Sequence, residues 1–105
     1  MVAFEVYLNG RKLTTAGAED VGLLLAILRW RRDATGVEEA DIEVCGQRDD
    51  DIHLIWKDVP LQRGDEIRLR LVEVGETDVD EPKAFLLRSL TSGPEPDDDP
   101  TVNPT

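Results

Sequence analysis

The dipeptide Asn9-Gly10, set between two stretches of alternating apolar residues, constrains the fold more than any other feature of this sequence. Both residues accept the positive φ that a two-residue type I′ turn requires, so the pair predicts an antiparallel hairpin. From Val2 to Leu8 the larger apolar residues occupy every second position, which is the period of a half-buried strand. Leu13 and its neighbouring threonines predict the returning strand.

The following stretch, AEDVGLLLAILRWRRD (residues 18–33), changes to a helical period. Its apolar residues follow the spacing i, i+3, i+4, i+7: Val21, Leu24, Leu25 and Leu28. Acidic residues come first and arginines last, an order that complements the helix dipole. Gly36 follows as a helix terminator, so the sequence predicts one amphipathic helix that ends near Asp33.

Three further stretches predict strands: ADIEVCGQR (40–48), IHLIWKDV (52–59) and EIRLRLVEV (66–74). In the second of them Trp56 shares a face with Ile52 and Leu54, so we expect Trp56 in the core. The predicted order is β-β-α-β-β-β. A helix packed across such a sheet gives an α+β fold of the β-grasp, or ubiquitin-like, class.

The composition changes after Val74, and this change predicts three regions. Residues 1–75 form the β-grasp-like domain. Residues 76–91 are an acidic linker with a short apolar segment, KAFLLRSL. Residues 92–105 contain prolines and aspartates and almost nothing apolar, so we expect a disordered tail.

The closing motif of the predicted domain carries a resemblance to a known family. Pro60-Leu61, a two-residue spacer and Gly64-Asp65-Glu66 precede the last predicted strand. Together with the opening hairpin and the leucine-rich stretch, this pattern resembles the small sulfur-carrier proteins of thiamin and molybdopterin synthesis, over about residues 4–75. The resemblance implies a β-grasp fold. Those carriers react through a C-terminal Gly-Gly, whereas this chain has Val74-Gly75-Glu76 and continues to Thr105.

The charge of the chain bears on its partners. The formal net charge is −11, and residues 76–105 hold eight acids against two bases. Such a chain repels phosphates, so we expect no nucleic-acid partner. The acidity serves solubility or the recognition of a basic surface on another protein. No apolar run approaches the roughly 20 residues of a membrane span, and the single Cys45 fits a reducing compartment, so we expect no membrane association and a cytoplasmic location.

Catalytic patterns are lacking in this sequence. One histidine, His53, and one cysteine, Cys45, lie on neighbouring predicted strands at outward positions. We interpret His53 as a residue of the polar sheet face rather than as part of a catalytic dyad. No nucleotide-binding loop, HExxH or CxxC motif occurs. We therefore expect no enzyme activity, no catalytic residues, no metal site and no cofactor.

A binding role is the remaining prediction, with three groups of candidate residues. They are the acidic loop Asp49, Asp50 and Asp51, the outward arginines Arg68 and Arg70, and the apolar residues Phe85, Leu86 and Leu90. Cross-strand carboxylates such as Glu5 or Glu43 would pair with the two arginines. The apolar segment either docks back on the domain or enters a partner's groove.

The sequence predicts a small acidic protein-binding module, either an adaptor or an inhibitor of the immunity type. Two alternatives remain open. One is a ubiquitin-like or sulfur-carrier relative that acts in group transfer after processing near Gly75. The other is a small metal- or ligand-binding protein that uses the acidic loop and His53. The oligomeric state stays undetermined at this level.

Overall fold

The computed structural model describes residues 1–49 and 51–86, which form two antiparallel β-sheets. The elements follow in chain order: β1 (Val2–Leu8), β2 (Arg11–Ala16), β3 (Leu23–Arg32), β4 (Glu38–Asp49), β5 (Ile52–Leu61), β6 (Ile67–Glu73), a 3₁₀ turn (Glu76–Asp78) and β7 (Lys83–Leu86). Sheet A has the strand order β2-β1-β6, and sheet B has the order β3-β4-β5-β7. Residues 87–91 of the predicted linker region 76–91 and the whole predicted tail 92–105 lie outside the described residues.

The predicted helix over residues 18–33 is wrong, and with it the β-grasp class. Leu23–Arg32 is instead the ten-residue strand β3, and no α-helix occurs in the part of the chain that the structure describes. The fold is therefore all-β. The run LLLAIL is apolar at both parities, so it suits a strand that has apolar contacts on both faces as well as it suits a helix.

Charge complementarity across β3 and β4 stabilises the strand. Nη2 of Arg29 lies 2.6 Å from Oδ2 of Asp41 and 3.0 Å from Oε1 of Glu43. Nε of Arg31 lies 3.1 Å from Oε1 of Glu39. Opposite charges on facing strands stabilise a sheet by roughly 0.2–1 kcal/mol per pair. If residues 18–33 formed a helix, these ion pairs between β3 and β4 would not form.

Asp33 and Gly36, which the sequence pattern predicts at the end of a helix, lie in the turn between β3 and β4. Oδ1 of Asp33 accepts hydrogen bonds from the amides of Thr35 and Val37, at 2.9 and 3.0 Å. Gly36 has a φ of +90°, which glycine adopts without the strain of a side chain. An Asp with a following Gly is equally typical of a helix end and of a hairpin turn.

The first hairpin is confirmed. Leu8 pairs with Arg11 around Asn9 and Gly10, whose φ values are +52° and +84°. The side chain of Asn9 also reaches the turn before β6, where its Oδ1 accepts a 2.9 Å hydrogen bond from the amide of Glu66. The three later predicted strands are likewise present as β4, β5 and β6, with bounds shifted by a few residues.

The core lies between the two sheets. It consists of six buried residues that face one another across the sheets: Val6, Ala16, Ile42, Val44, Leu54 and Trp56. The predicted burial of Trp56 is confirmed, with 7% exposure. Its indole Nε1 donates a 2.9 Å hydrogen bond to the carbonyl of Asp80, which satisfies the one polar atom of the ring.

The segment after β6 closes one side of the sandwich. The amide of Asp80 donates a hydrogen bond to the carbonyl of Thr15 on β2, at 2.9 Å. β7 then pairs with β5, from Ile52 opposite Leu86 to Ile55 opposite Lys83. On this side, the free edges of β2 and β5 thus both receive hydrogen bonds from residues 80–86. Covering an edge in this way prevents its pairing with other chains.

Candidate functional site

Two features of the described residues stand out: a cluster of potential metal-ligating side chains on sheet B and an uncovered apolar surface between β3 and β6. The outer-face cluster consists of Glu43, Cys45 and His53. One potential ligand atom from each residue lies within 4.8 Å of those of the other two. Oε2 of Glu43 lies 3.9 Å from Nε2 of His53.

Strand parity and register place the cluster. Glu43 and Cys45 are two residues apart on β4, so they lie on the same face of sheet B, away from the core residues Ile42 and Val44. Cys45 faces Ile55 on β5, and His53 lies two residues from Ile55 on that same face. His53 is thus diagonal to Cys45, and Glu43 precedes Cys45 by two residues on β4, so the three side chains meet around Cys45.

An irregularity in β5 sets this alignment. Val44 pairs with Lys57 but Cys45 pairs with Ile55, so Trp56 is the extra residue of a β-bulge. On one side of the bulge Asp58 faces Glu43, and on the other His53 faces Gln47. Without the bulge, either Asp58 or His53 would lie on the core side.

The thiol of Cys45 is buried, and the residue has 1% exposure. Burial, followed by the negative charge of Glu43, raises the pKa of Cys45. A protonated, enclosed thiol is a poor nucleophile. The geometry therefore offers no support for a Cys–His catalytic pair.

Arg29 and two aspartates adjoin the cluster. The Arg29 guanidinium, by its hydrogen bond, lowers the pKa of Asp41. Burial and then the neighbouring Asp41 raise the pKa of Asp58. The Arg29 guanidinium thus neutralises part of a carboxylate-rich face, and it holds Oε1 of Glu43 at 3.0 Å.

The residues that the sequence singled out for binding are dispersed. Asp49 ends β4, Asp51 lies in the turn before β5, and Asp50 lies outside the described residues. Arg70 pairs with Glu5 at 3.0 Å, which confirms the expected cross-strand pair. Arg68 stacks over the ring of Tyr7, 4.3 Å from its centroid.

The apolar segment is divided in the same way. Phe85 and Leu86 belong to β7, and Phe85 faces His53 on β5. This part of the segment thus pairs with the domain at a sheet edge. Leu90 lies outside the described residues.

The open side is our name for the surface between β3 and β6, formed by Leu28, Trp30, Leu69 and Leu71. Each has the parity of a core residue: Leu28 faces the buried Ile42 across β3–β4, and Leu69 faces the buried Val6 across β1–β6. Their exposures are nevertheless 65% for Leu28, 54% for Trp30, 49% for Leu69 and 70% for Leu71. Side chains directed between the two sheets are therefore in contact with solvent.

Two depressions lie along the open side. One, of about 630 Å³, contains Leu28 and Trp30 of β3 and Ile67 of β6. The other, of about 520 Å³, contains Leu71 and lies between β3 and the start of β1. Their remaining lining residues include four carboxylates and one arginine: Glu19, Glu38, Glu39, Asp65 and Arg63.

The sequence contained a signal for part of this arrangement that was missed. Arginines at 29 and 31 and acids at 41 and 39 lie at equal distances on either side of residue 35. Charges of opposite sign arranged symmetrically about a Gly-containing turn are typical of a hairpin. This pattern predicts β3–β4, and it aligns Glu43 with Ile27 and Cys45 with Leu25 as the structure does.

Comparisons of the chain with protein-family models, with curated proteins and with solved structures found no match. Residues 1–49 and 51–86 contain no helix with the length and hydrophobicity that a membrane crossing requires.

Proposed function

We infer that this chain is a non-catalytic protein-binding module whose open side receives a strand-forming segment of a partner protein. The observation that carries this proposal is the exposure of Leu28 and Leu71, two residues with core parity. Contiguous exposed apolar residues are a liability for an isolated chain, and in stable proteins they mark binding surfaces.

The backbone around the open side favours a strand as the occupant. β3 and β6 are both terminal strands of their sheets among the described residues, and they border the same opening. β3 offers ten residues of sheet edge. A partner strand that pairs with this edge gains main-chain hydrogen bonds, and its alternate side chains cover the apolar residues.

The charge favours a basic partner over a second copy of this chain. Each copy carries a formal charge of −11, so two copies repel each other. The carboxylates around the two depressions outnumber the single Arg63, which Glu38 binds at 2.7 Å. The complementary segment has alternating apolar residues with Lys or Arg on its flanks.

Site-specific photo-crosslinking in the native host tests the proposal. A photoreactive amino acid replaces Leu71 in one variant and Val37 in a matched control, because Val37 is also exposed but lies in the β3–β4 turn. We expect a strong crosslink from position 71 and at most a weak one from position 37. The crosslinked peptide, identified by mass spectrometry, should be apolar with basic flanks, and its yield should fall at high salt.

Three results would overturn this proposal. The first is equal crosslinking from both positions, and the second is the absence of any crosslink from position 71. The third is a crosslink from position 71 to a second copy of this chain, which would assign the open side to self-association.

A further inference from the structure

We propose that Glu43, Cys45 and His53 bind a divalent transition-metal ion of the zinc type. The site lies on the outer face of sheet B, whereas the open side is formed by core-facing side chains, so this proposal is independent of the protein-binding role. It also differs from a site in the Asp49–Asp51 loop, since two of its three ligands come from the middle of β4.

The three side chains supply one oxygen, one sulfur and one nitrogen ligand. Zinc takes Cys, His and Glu ligands, whereas Mg²⁺ and Ca²⁺ prefer sites made of oxygen alone. A carboxylate and a thiolate together carry two negative charges, which match a divalent ion, and the imidazole binds as a neutral ligand. The chemistry of the cluster therefore selects for zinc-like ions.

The spacing of the cluster requires only a small adjustment. Zinc bond lengths of about 2.0–2.3 Å in a tetrahedral site place the ligand atoms about 3.3–3.6 Å apart. In the structure the corresponding atoms lie within 4.8 Å of one another. The His53 side chain is 27% exposed, so it can rotate towards Cys45, which is held in β4.

Arg29 orients the carboxylate of Glu43. Its guanidinium binds Oε1 of Glu43 at 3.0 Å, and the other oxygen, Oε2, lies towards His53. Groups that fix a metal-binding carboxylate in this way are a regular part of metal sites. Asp41 binds the same guanidinium at 2.6 Å, which offsets the positive charge next to the metal. Three protein ligands leave one tetrahedral position for a water molecule or an external ligand.

Cobalt spectroscopy of the full chain tests the site. Co²⁺ occupies zinc sites, and a thiolate ligand gives it a near-ultraviolet charge-transfer band, while tetrahedral coordination gives intense visible bands. We expect both signals at one equivalent of Co²⁺, their loss when Zn²⁺ is added, and no change with Mg²⁺ or Ca²⁺. Cys45→Ser should abolish the charge-transfer band.

Two further variants keep the test decisive if the buried Cys45→Ser variant does not fold. Glu43→Gln and His53→Gln alter partly exposed side chains, and each should weaken Co²⁺ binding roughly 10-fold or more. As a matched control, Asp49, Asp50 and Asp51 are together replaced by Asn, a change that should leave the spectrum unaltered.

The proposal fails if Co²⁺ gives no charge-transfer band with the wild-type chain. It also fails if the band persists in Cys45→Ser, or if Glu43→Gln and His53→Gln bind Co²⁺ as tightly as the wild type. If the triple Asn variant lost Co²⁺ binding while Glu43→Gln retained it, the metal would be assigned to the acidic loop instead of the cluster.

Discussion

The hydroxyl of Thr14 donates a 2.8 Å hydrogen bond to Oδ2 of Asp80, 66 residues later in the chain. The same oxygen accepts the amide of Thr15 at 3.0 Å, and the amide of Asp80 returns a hydrogen bond to the carbonyl of Thr15. Asp80 thus pairs with the outer edge of β2 as a strand residue would. Its carbonyl also accepts the indole of Trp56, so one residue joins a sheet edge to the core.

Replacing Asp80 by Ala should destabilise the protein. The change removes a charged acceptor of two hydrogen bonds, so we expect a loss of about 1–2 kcal/mol in the free energy of unfolding, measured in urea. Glu81→Gln is the control, because Glu81 is the adjacent exposed carboxylate, and it should change stability by less than about 0.5 kcal/mol. Equal effects of the two variants would contradict this role of Asp80.

The same contact predicts a pH dependence. The hydrogen bonds from Thr15 and then Thr14 hold the pKa of Asp80 below its usual range. A carboxylate with a lowered pKa in the folded state stabilises the fold above its unfolded pKa of about 3.9, and this contribution is lost as the pH falls through the folded pKa. The stability difference between wild type and Asp80→Ala should stay constant from about pH 7 to about pH 5 and shrink below about pH 4. A difference that grows on acidification would refute this assignment.

The two tryptophans should respond differently to the same substitution. Trp56 is 7% exposed and donates to Asp80, so Trp56→Phe should cost about 1–3 kcal/mol by leaving the carbonyl of Asp80 without this donor and a gap in the core. Trp30 is 54% exposed, so Trp30→Phe should change stability by less than about 0.5 kcal/mol. Acrylamide should quench the emission of Trp56→Phe strongly and that of Trp30→Phe weakly. The opposite order would show that Trp30 is covered.

Alanine substitutions at Gly46 and at Gly22 should differ in their effect on stability. A Cβ on Gly46 would lie 2.5 Å from the carbonyl oxygen of Leu23 and 3.3 Å from the ring of Trp56. Gly46→Ala should therefore separate β3 from β4 and cost about 1–3 kcal/mol. A Cβ on Gly22 meets nothing within 4 Å, so Gly22→Ala should be neutral or stabilise by up to about 1 kcal/mol. Equal urea midpoints for the two variants would refute the close approach at Gly46.

Removing a leucine from the open side should improve solution behaviour without a loss of stability. Leu71 is 70% exposed, so Leu71→Ser should change the free energy of unfolding by less than about 0.5 kcal/mol. It should also lower aggregation measured by light scattering at high concentration, because it interrupts an apolar patch. Val37→Ser, in the β3–β4 turn and outside the four residues of the open side, should change aggregation less. A marked loss of stability in Leu71→Ser would place Leu71 in the core.

The strands with strict alternation were predictable because local sequence determines them. Asn9-Gly10 fixes its hairpin through backbone conformation, and the strict alternation from Ile67 to Leu71 in β6 places its apolar residues on one face. β3 was mispredicted because the spacing of Val21 and Leu28 satisfies a helix, while its pairing depends on residues of β4. Local periodicity contains no information on such partners, whereas the symmetric placement of Arg29 and Asp41 does.

The outer-face cluster was predictable only in part. Strand parity placed Cys45 and His53 on one face of neighbouring strands. The bulge at Trp56 decides which residues of β5 meet Glu43, and nothing in the alternation of β5 reveals it. The open side was hidden for a different reason: Leu28 and Leu71 have the parity of core residues, and their exposure depends on how far the two sheets extend over each other.

The pairing of β1 with β6 also determines when this protein can fold. Val2 faces Glu73, so sheet A joins the first strand to the sixth, whereas β3 pairs with β4 and β4 with β5, each the next strand in the chain. During synthesis the β3–β4–β5 meander is complete before β6 exists, and a lone β1–β2 hairpin is only marginally stable. We therefore expect closure of the long loop between β1 and β6 to be the slow step in folding, and until then we expect the apolar face of the meander to be exposed to chaperones.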